Sequence, residues 1–192
     1  MSWLQEYRLR NLNVPSLELP ERYKDANVYE IGQASFKQAA IKYLNGFYEF
    51  ADKGIGMLLI GRSRTWKTYT AAAVCRGVHQ VPLEVNFVSC ADELLELSRD
   101  QFSPRTKRRL DEIKSVPFVV MDDFAMIPPG GIGHQMLLGI AEARFGAMLP
   151  TIWTGNIGAR QGEVIEELTQ SYGPGFARRV YDCSEGFRIR VT

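Results

Sequence analysis

Apolar positions along the chain fall into two kinds of run. Short unbroken stretches, "GMLLI" at 56–60, "PFVVM" at 117–121 and "PTIWT" at 150–154, read as strands buried on both faces. "LEVNFVSC" at 83–90 and the closing "GFRIRV" supply two more strands. Between them apolar residues recur at helical spacing. Phe36, Ala39, Ala40, Tyr43, Leu44 and Phe47 predict one helix over 35–50. Further helices are predicted over 67–79, from about Ala91, and over "SPRTKRRLDEIK", where Ser103 caps and Pro104 takes the first helical position. After the loop "PPGGIG" a helix runs to about Phe145, and two short ones lie near 161–170 and 175–181. Strands alternating with helices make βαβ units, hence an α/β domain with a central parallel five-stranded sheet wrapped on both faces. The strands ending at "GMLLI" and "VVMDD" are expected to be neighbours.

The turn after the first of these strands carries chemistry. "GRSRTWKT", 61–68, has the P-loop frame G-x-x-x-x-G-K-[ST], with Trp66 in place of the second glycine. Strand, loop, Lys-Thr, helix is the context in which that frame holds phosphate, because successive backbone N–H groups and a helix N-terminus make a positive concavity. The candidate nucleotide-binding residues are therefore Gly61, Arg62, Ser63, Arg64, Thr65, Trp66, Lys67, Thr68 and Tyr69. Lys67 is placed to reach the β/γ-phosphates and the Thr68 hydroxyl to ligate Mg2+. Arg64 and Trp66 stand where glycines are usual. A side chain forced to positive φ costs roughly 1–2 kcal/mol, about tenfold or more in affinity if the whole cost falls on the bound state. The expectation is a working but weak ATP site; a nucleotide-free scaffold is the rival reading.

"FVVMDDF" ends a buried strand in acid, at the carboxyl edge where ligands of parallel sheets bind. Asp122 is the candidate Mg2+ ligand and Asp123 the residue that orients and polarises the attacking water. Asn156, after "PTIWTG", would sense the γ-phosphate, although asparagine after a strand is also an ordinary turn residue. Arg178 and Arg179, before the last strand, could reach a neighbouring subunit's γ-phosphate as an arginine finger; a surface ion pair is the plainer role.

In that order the motifs resemble an AAA+ ATPase of the DnaC/DnaI helicase-loader and IstB-like class, with similarity from about "LPERYKDANVYEI" onward. The resemblance implies a P-loop αβα sandwich over residues 21–192; the expected absence of the C-terminal helical lid of many AAA+ proteins is a departure compatible with the loader class. It also implies ATP and Mg2+ as cofactors and self-association into a ring or spiral with ATP between neighbours. Family roles fall on Lys67, Thr68, Asp122, Asp123, Asn156 and Arg179 or Arg178. Loaders of this class place a DnaB-type replicative helicase on single-stranded DNA, and IstB-type members assist a transposase on duplex DNA. The retained ATPase core is common to both, so both stay open. A phage or mobile-element loader fits the 20 residues that precede the ATPase region, which are too few for the N-terminal helicase-gripping domain usual in the class.

Composition trims the picture. With 192 residues, 45% hydrophobic and 23% charged, the chain has the make-up of one globular domain. A formal net charge of +1 means that any nucleic-acid surface must be a local patch. The candidate patch is Arg105, Lys107, Arg108 and Arg109 beside Phe102, for single-stranded DNA; a solvated helix face balanced by Asp111 and Glu112 fits the same residues. Cys75, Cys90 and Cys183 form no C-x-x-C pair, and no apolar run approaches the roughly 20 residues of a membrane span. A cytoplasmic protein with no membrane partner is expected. His79 and His134 suggest no metal. Residues 1–20 form a short extension in which Ser2 and Gln5 can cap a helix carrying Trp3, Leu4, Tyr7 and Leu12. Such an apolar helix fits a groove on a partner, or folds back on the chain's own domain.

Overall fold

The computed structural model describes residues 16–80, 83–157 and 164–191. Helices α1 (Ala34–Asn45) and α2 (Phe47–Asp52) precede strand β1 (Met57–Gly61) and helix α3 (Lys67–His79). Strand β2 (Val85–Ser89) runs through a π-helical turn, Cys90–Leu94, into α4 (Leu95–Arg99) and α5 (Pro104–Ser115). Then come β3 (Phe118–Asp122), α6 (Ile132–Gly146), β4 (Thr151–Gly155), α7 (Val164–Tyr172), α8 (Pro174–Asp182) and β5 (Arg188–Val191). The predicted helix in residues 2–12 lies outside the described residues. Among the described residues no helix is long and apolar enough to cross a membrane.

The strands form one parallel sheet in the order β2-β3-β4-β1-β5. The expected adjacency of β1 and β3 is therefore corrected, because β4 lies between them. Burial gives the reason. β4 carries wholly buried Ile152 toward one core and almost wholly buried Trp153 toward the other, so it needs cover on both faces. The half-exposed four-residue β5 can instead serve as an edge. Period-2 alternation sorts the rest. Leu59, Phe118 and Val120 face a core made with Phe36, Tyr43 and Phe47 and with the small-residue face of α3. Leu58, Ile60, Val119 and Met121 face a second core made with Leu137, Ile140, Phe176 and Val180.

The single helix predicted over 35–50 is also corrected. It breaks at Gly46, whose φ of −105° and ψ of 16° leave the helical region. A Cβ on Gly46 would lie 2.5 Å from the Phe50 ring. The break lets Phe47 turn inward beside Tyr43 and Phe118. The segment before α1 is fastened to α3. Arg76 Nη1 donates to the Ala26 carbonyl at 2.9 Å, and the Asn27 amide donates to the Tyr69 hydroxyl at 3.2 Å.

At the opposite edge of the sheet from the phosphate loop, Arg144 of α6 is almost wholly buried. Its guanidinium donates to the carbonyls of Ile113, Val116 and Pro150 and to Thr151 Oγ1, at 2.7–2.9 Å. Burial pushes its pKa down to about 9, so it stays protonated at neutral pH. One side chain thus ties α5, the turn into β3 and the start of β4, and sets the two strands whose far ends enter the site.

Candidate functional site

The phosphate loop begins where β1 ends. Gly61 sits at φ 151°, and a Cβ there would come within 2.3 Å of the Val191 carbonyl of β5, so only glycine fits. Arg64 and Trp66 then adopt left-handed backbone at φ 64° and 70°. The turn keeps glycine-like geometry although side chains have replaced the glycines, and alternation of this kind is what builds an anion-binding nest. The Trp66 carbonyl accepts from the Thr70 amide at 2.8 Å and from Thr70 Oγ1 at 2.7 Å, which starts α3. The Trp66 indole turns aside, against Gly32 and edge-on to Tyr69 with ring centroids 5.1 Å apart.

Lys67 is buried at 4% exposure, with Nζ donating to the Arg62 carbonyl at 2.6 Å and to Thr65 Oγ1 at 3.3 Å. Desolvation lowers its pKa, and the charges of Asp123 and Asp122 oppose that shift. On β3, Asp122 is 8% exposed and accepts from Thr154 Oγ1 of β4 at 2.6 Å. Burial raises its pKa to about 6; the bonds from Thr154 and Thr68 pull it back, and the Asp123 charge adds to the rise. Asp123 turns left-handed at φ 50°, and its amide donates to the same Thr154 hydroxyl at 2.9 Å.

One cleft of about 810 Å3 opens beside these groups, lined by Arg22, Tyr23, Ser63, Arg64, Thr65, Trp66, Lys67, Thr68, Tyr69, Asp123 and Asn156. That size suits a small cofactor. A buried carboxylate bonded to a threonine hydroxyl, Asp122 with Thr68, is an oxygen donor pair suited to a hard cation. Among the described residues no group of three or more His, Cys, Asp or Glu could cage a metal, so a cation here would complete its shell with phosphate and water.

The structure brings Lys67, Thr68, Asp122, Asp123 and Asn156 together and leaves the arginine pair outside the cleft lining. Arg179 donates to Glu142 Oε1 at 2.9 Å and to the Gly175 carbonyl at 2.8 Å. The Arg178 side chain is 84% exposed, 3.5 Å from Asp182. Sequence reasoning missed Thr154, the hydroxyl shared by both aspartates; its place two residues before Asn156 on a buried strand was the available signal. The basic stripe is partly neutralised. Arg109 is paired with Glu93 and Glu112, and Arg105 lies 3.9 Å from Glu96, around a second cavity of about 300 Å3. Lys107 and Phe102 remain exposed, Phe102 at 92%.

Comparison with known proteins gives the family and the fold. The sequence profile of the family described as IstB-like ATP binding protein matches residues 6–163. The chain belongs to that family. No curated protein sequence matches it. A crystal structure of the DnaC helicase loader superposes with TM-score 0.78 at 18% identity, covering 90% of this chain and 100% of that one. A DnaI crystal structure gives 0.74 at 19%, covering 92% and 96%. The replication initiator DnaA, bound to AMPPCP and single-stranded DNA, gives 0.69 at 13%, covering 90% of this chain and 50% of that one. The fold is that of AAA+ proteins, an α/β sandwich on a five-stranded parallel sheet, as its motifs predicted.

Proposed function

We propose that this protein is a Mg2+-dependent ATPase whose nucleotide cycle loads a DnaB-type replicative helicase onto single-stranded DNA. The reading rests on one observation: Lys67, Thr68, Asp123 and Asn156 line one cleft, with Asp122 hydrogen-bonded to Thr68, in a fold shared with DnaC and DnaI. Each residue then has a task. Lys67 exchanges the Arg62 carbonyl for the β/γ-phosphates, and its desolvation strengthens that charge pairing. Thr68 and Asp122 would hold Mg2+, which when bound neutralises phosphate charge. Asp123, fixed by Thr154, accepts a hydrogen bond from the attacking water. Asn156 reaches the γ-phosphate from the exposed end of β4. An arginine of a neighbouring subunit completes the charge stabilisation in a ring or spiral, and exposed Arg178 is the freer of the pair. Lys107, Arg108 and Phe102 supply the cations and the ring that single-stranded DNA needs. Residues 1–20 are assigned to grip the helicase, and 21–192 to the ATPase domain in the cytoplasm.

A second reading, a transposition regulator acting on duplex DNA, is favoured by the IstB-like profile match. Co-purification with a DnaB-type helicase, followed by ATP-dependent deposition of that helicase on single-stranded circles, separates the two. No helicase binding, together with ATP-dependent retention on duplex DNA and stimulation of a transposase, overturns the loader. Absence of ATP binding at millimolar concentration with DNA and partner present would make the chain a nucleotide-free scaffold.

A further inference from the structure

Trp66 stands where the phosphate-loop motif has glycine, and its backbone is held left-handed, a conformation that persists only where the surroundings enforce it. The surroundings here are specific. The indole lies over Gly32 so closely that a Cβ on Gly32 would be 2.7 Å from Cζ2, and it meets the Tyr69 ring edge-on. Tyr69 is fixed in turn: its hydroxyl donates to Glu30 Oε2 at 3.0 Å, and its ring meets Tyr23 edge-on at 6.4 Å. The indole is thus braced from behind while 42% of Trp66 remains exposed on the cleft.

The cleft lining sorts by contact into two groups. Lys67, Thr68 and Asp123 form a charged group suited to phosphate and metal. Tyr23, Trp66 and Tyr69 form an aromatic group, with the Arg22 guanidinium over the Tyr23 ring at 5.5 Å. A ligand that is polyanionic at one end and a flat ring at the other matches both. Building on the nucleotide reading above, we propose that the Trp66 indole is the stacking surface for the base of the bound nucleotide, so that ring contact supplies affinity that a glycine at this position cannot. Stacking tolerates any base, so the site takes purine nucleoside triphosphates with little discrimination between adenine and guanine.

Calorimetry with ATP, GTP and inorganic tripolyphosphate, each with Mg2+, tests this on the full chain and on Trp66→Leu and Trp66→Phe. The unsubstituted protein is expected to bind ATP about tenfold tighter than tripolyphosphate, with GTP within about fivefold of ATP. Trp66→Leu should remove the ATP advantage, read as the ATP-to-tripolyphosphate ratio within each protein so that any loosening of the loop cancels, and Trp66→Phe should keep most of it. ATP, and not tripolyphosphate, should quench the part of the fluorescence lost in Trp66→Phe, a readout that needs no variant to bind ligand. An ATP-to-tripolyphosphate ratio equal in the protein and in Trp66→Leu, or no ATP-specific quenching, overturns the stacking role while the phosphate site stands. If neither ligand binds the unsubstituted protein, the nucleotide reading falls and this inference falls with it.

Discussion

Thr154→Val tests how the proposed metal and water residues are coupled. Valine keeps the shape of a wholly buried side chain and removes two bonds, the donation to Asp122 Oδ1 at 2.6 Å and the acceptance from the Asp123 amide at 2.9 Å. A hydrogen bond to a charged group contributes about 1.5–3 kcal/mol, which is about 1–2 pKa units. Asp122, at about 6 in the native protein, should therefore titrate at roughly 7–8 in the variant. At pH 7 its ionised fraction falls from about nine-tenths to between about half and one-tenth, so apparent Mg2+ affinity should fall roughly two- to tenfold and recover near pH 9. The assay is the Mg2+ concentration for half-maximal ATP turnover, compared between protein and variant at pH 6, 7 and 8.5. Titration of ATP's own phosphate is common to both and cancels in the ratio. A turnover deficit that survives saturating Mg2+ at high pH reports the loosened Asp123. A ratio that does not move with pH would refute the protonation argument and leave only displaced geometry. Stability gives an independent check of sign. Because the folded pKa is raised above the ordinary aspartate value of 3.8, folding favours the neutral acid. Its contribution is complete below about 3.8 and is lost as pH rises through about 6, by about 3 kcal/mol in all. Mg2+ should accordingly raise the melting temperature more at pH 7.5 than at pH 5.

Arg144→Met should lower the urea-derived unfolding free energy by about 3–5 kcal/mol, because three buried carbonyls and one hydroxyl lose their donor at once; a loss under about 1 kcal/mol would mean that water replaces it. Arg64→Gly relieves a left-handed residue that makes no ion pair among the described residues, and should raise stability by about 0.5–1 kcal/mol, or the melting temperature by about 1–4 °C. Lys67→Ala is expected to weaken ATP binding itself, whereas Asp123→Asn should leave binding within a few-fold and lower kcat by about a hundredfold, as equilibrium binding and single-turnover hydrolysis would report. Arg178→Ala should poison mixed assemblies without altering the melting temperature, while Arg179→Ala should also destabilise the monomer by breaking the Glu142 pair; equal melting effects would reverse that assignment.

The sequence by itself determined which residues are candidates for the chemistry and in what order they fall along the chain. Period-2 and period-3.6 patterns are local properties, so "GMLLI", "FVVM" and "PTIWT" declared themselves strands, and Ser103 with Pro104 a helix start, with no knowledge of partners. The phosphate loop and the paired aspartates were legible for the same reason: a strand's carboxyl edge is a position along the chain. Strand neighbours, by contrast, are chosen by which strand needs burial on both faces. β4 therefore entered between β1 and β3 and brought Thr154 to both aspartates across more than 30 residues of chain. The fate of charge is equally non-local. Arg109 looked like a nucleic-acid contact until the turn after β2 presented Glu93 to it, and Arg144 gave no sign of being a buried clamp. Trp66 shows the division most plainly. Its sequence position marked a missing glycine, but only the packed segment before α1, with Gly32 beneath the indole and Tyr69 at its edge, decided that the ring turns aside and the loop keeps its left-handed turn. Backbone preference is written residue by residue, whereas the contacts that override it come from elements that meet only when the sheet is assembled.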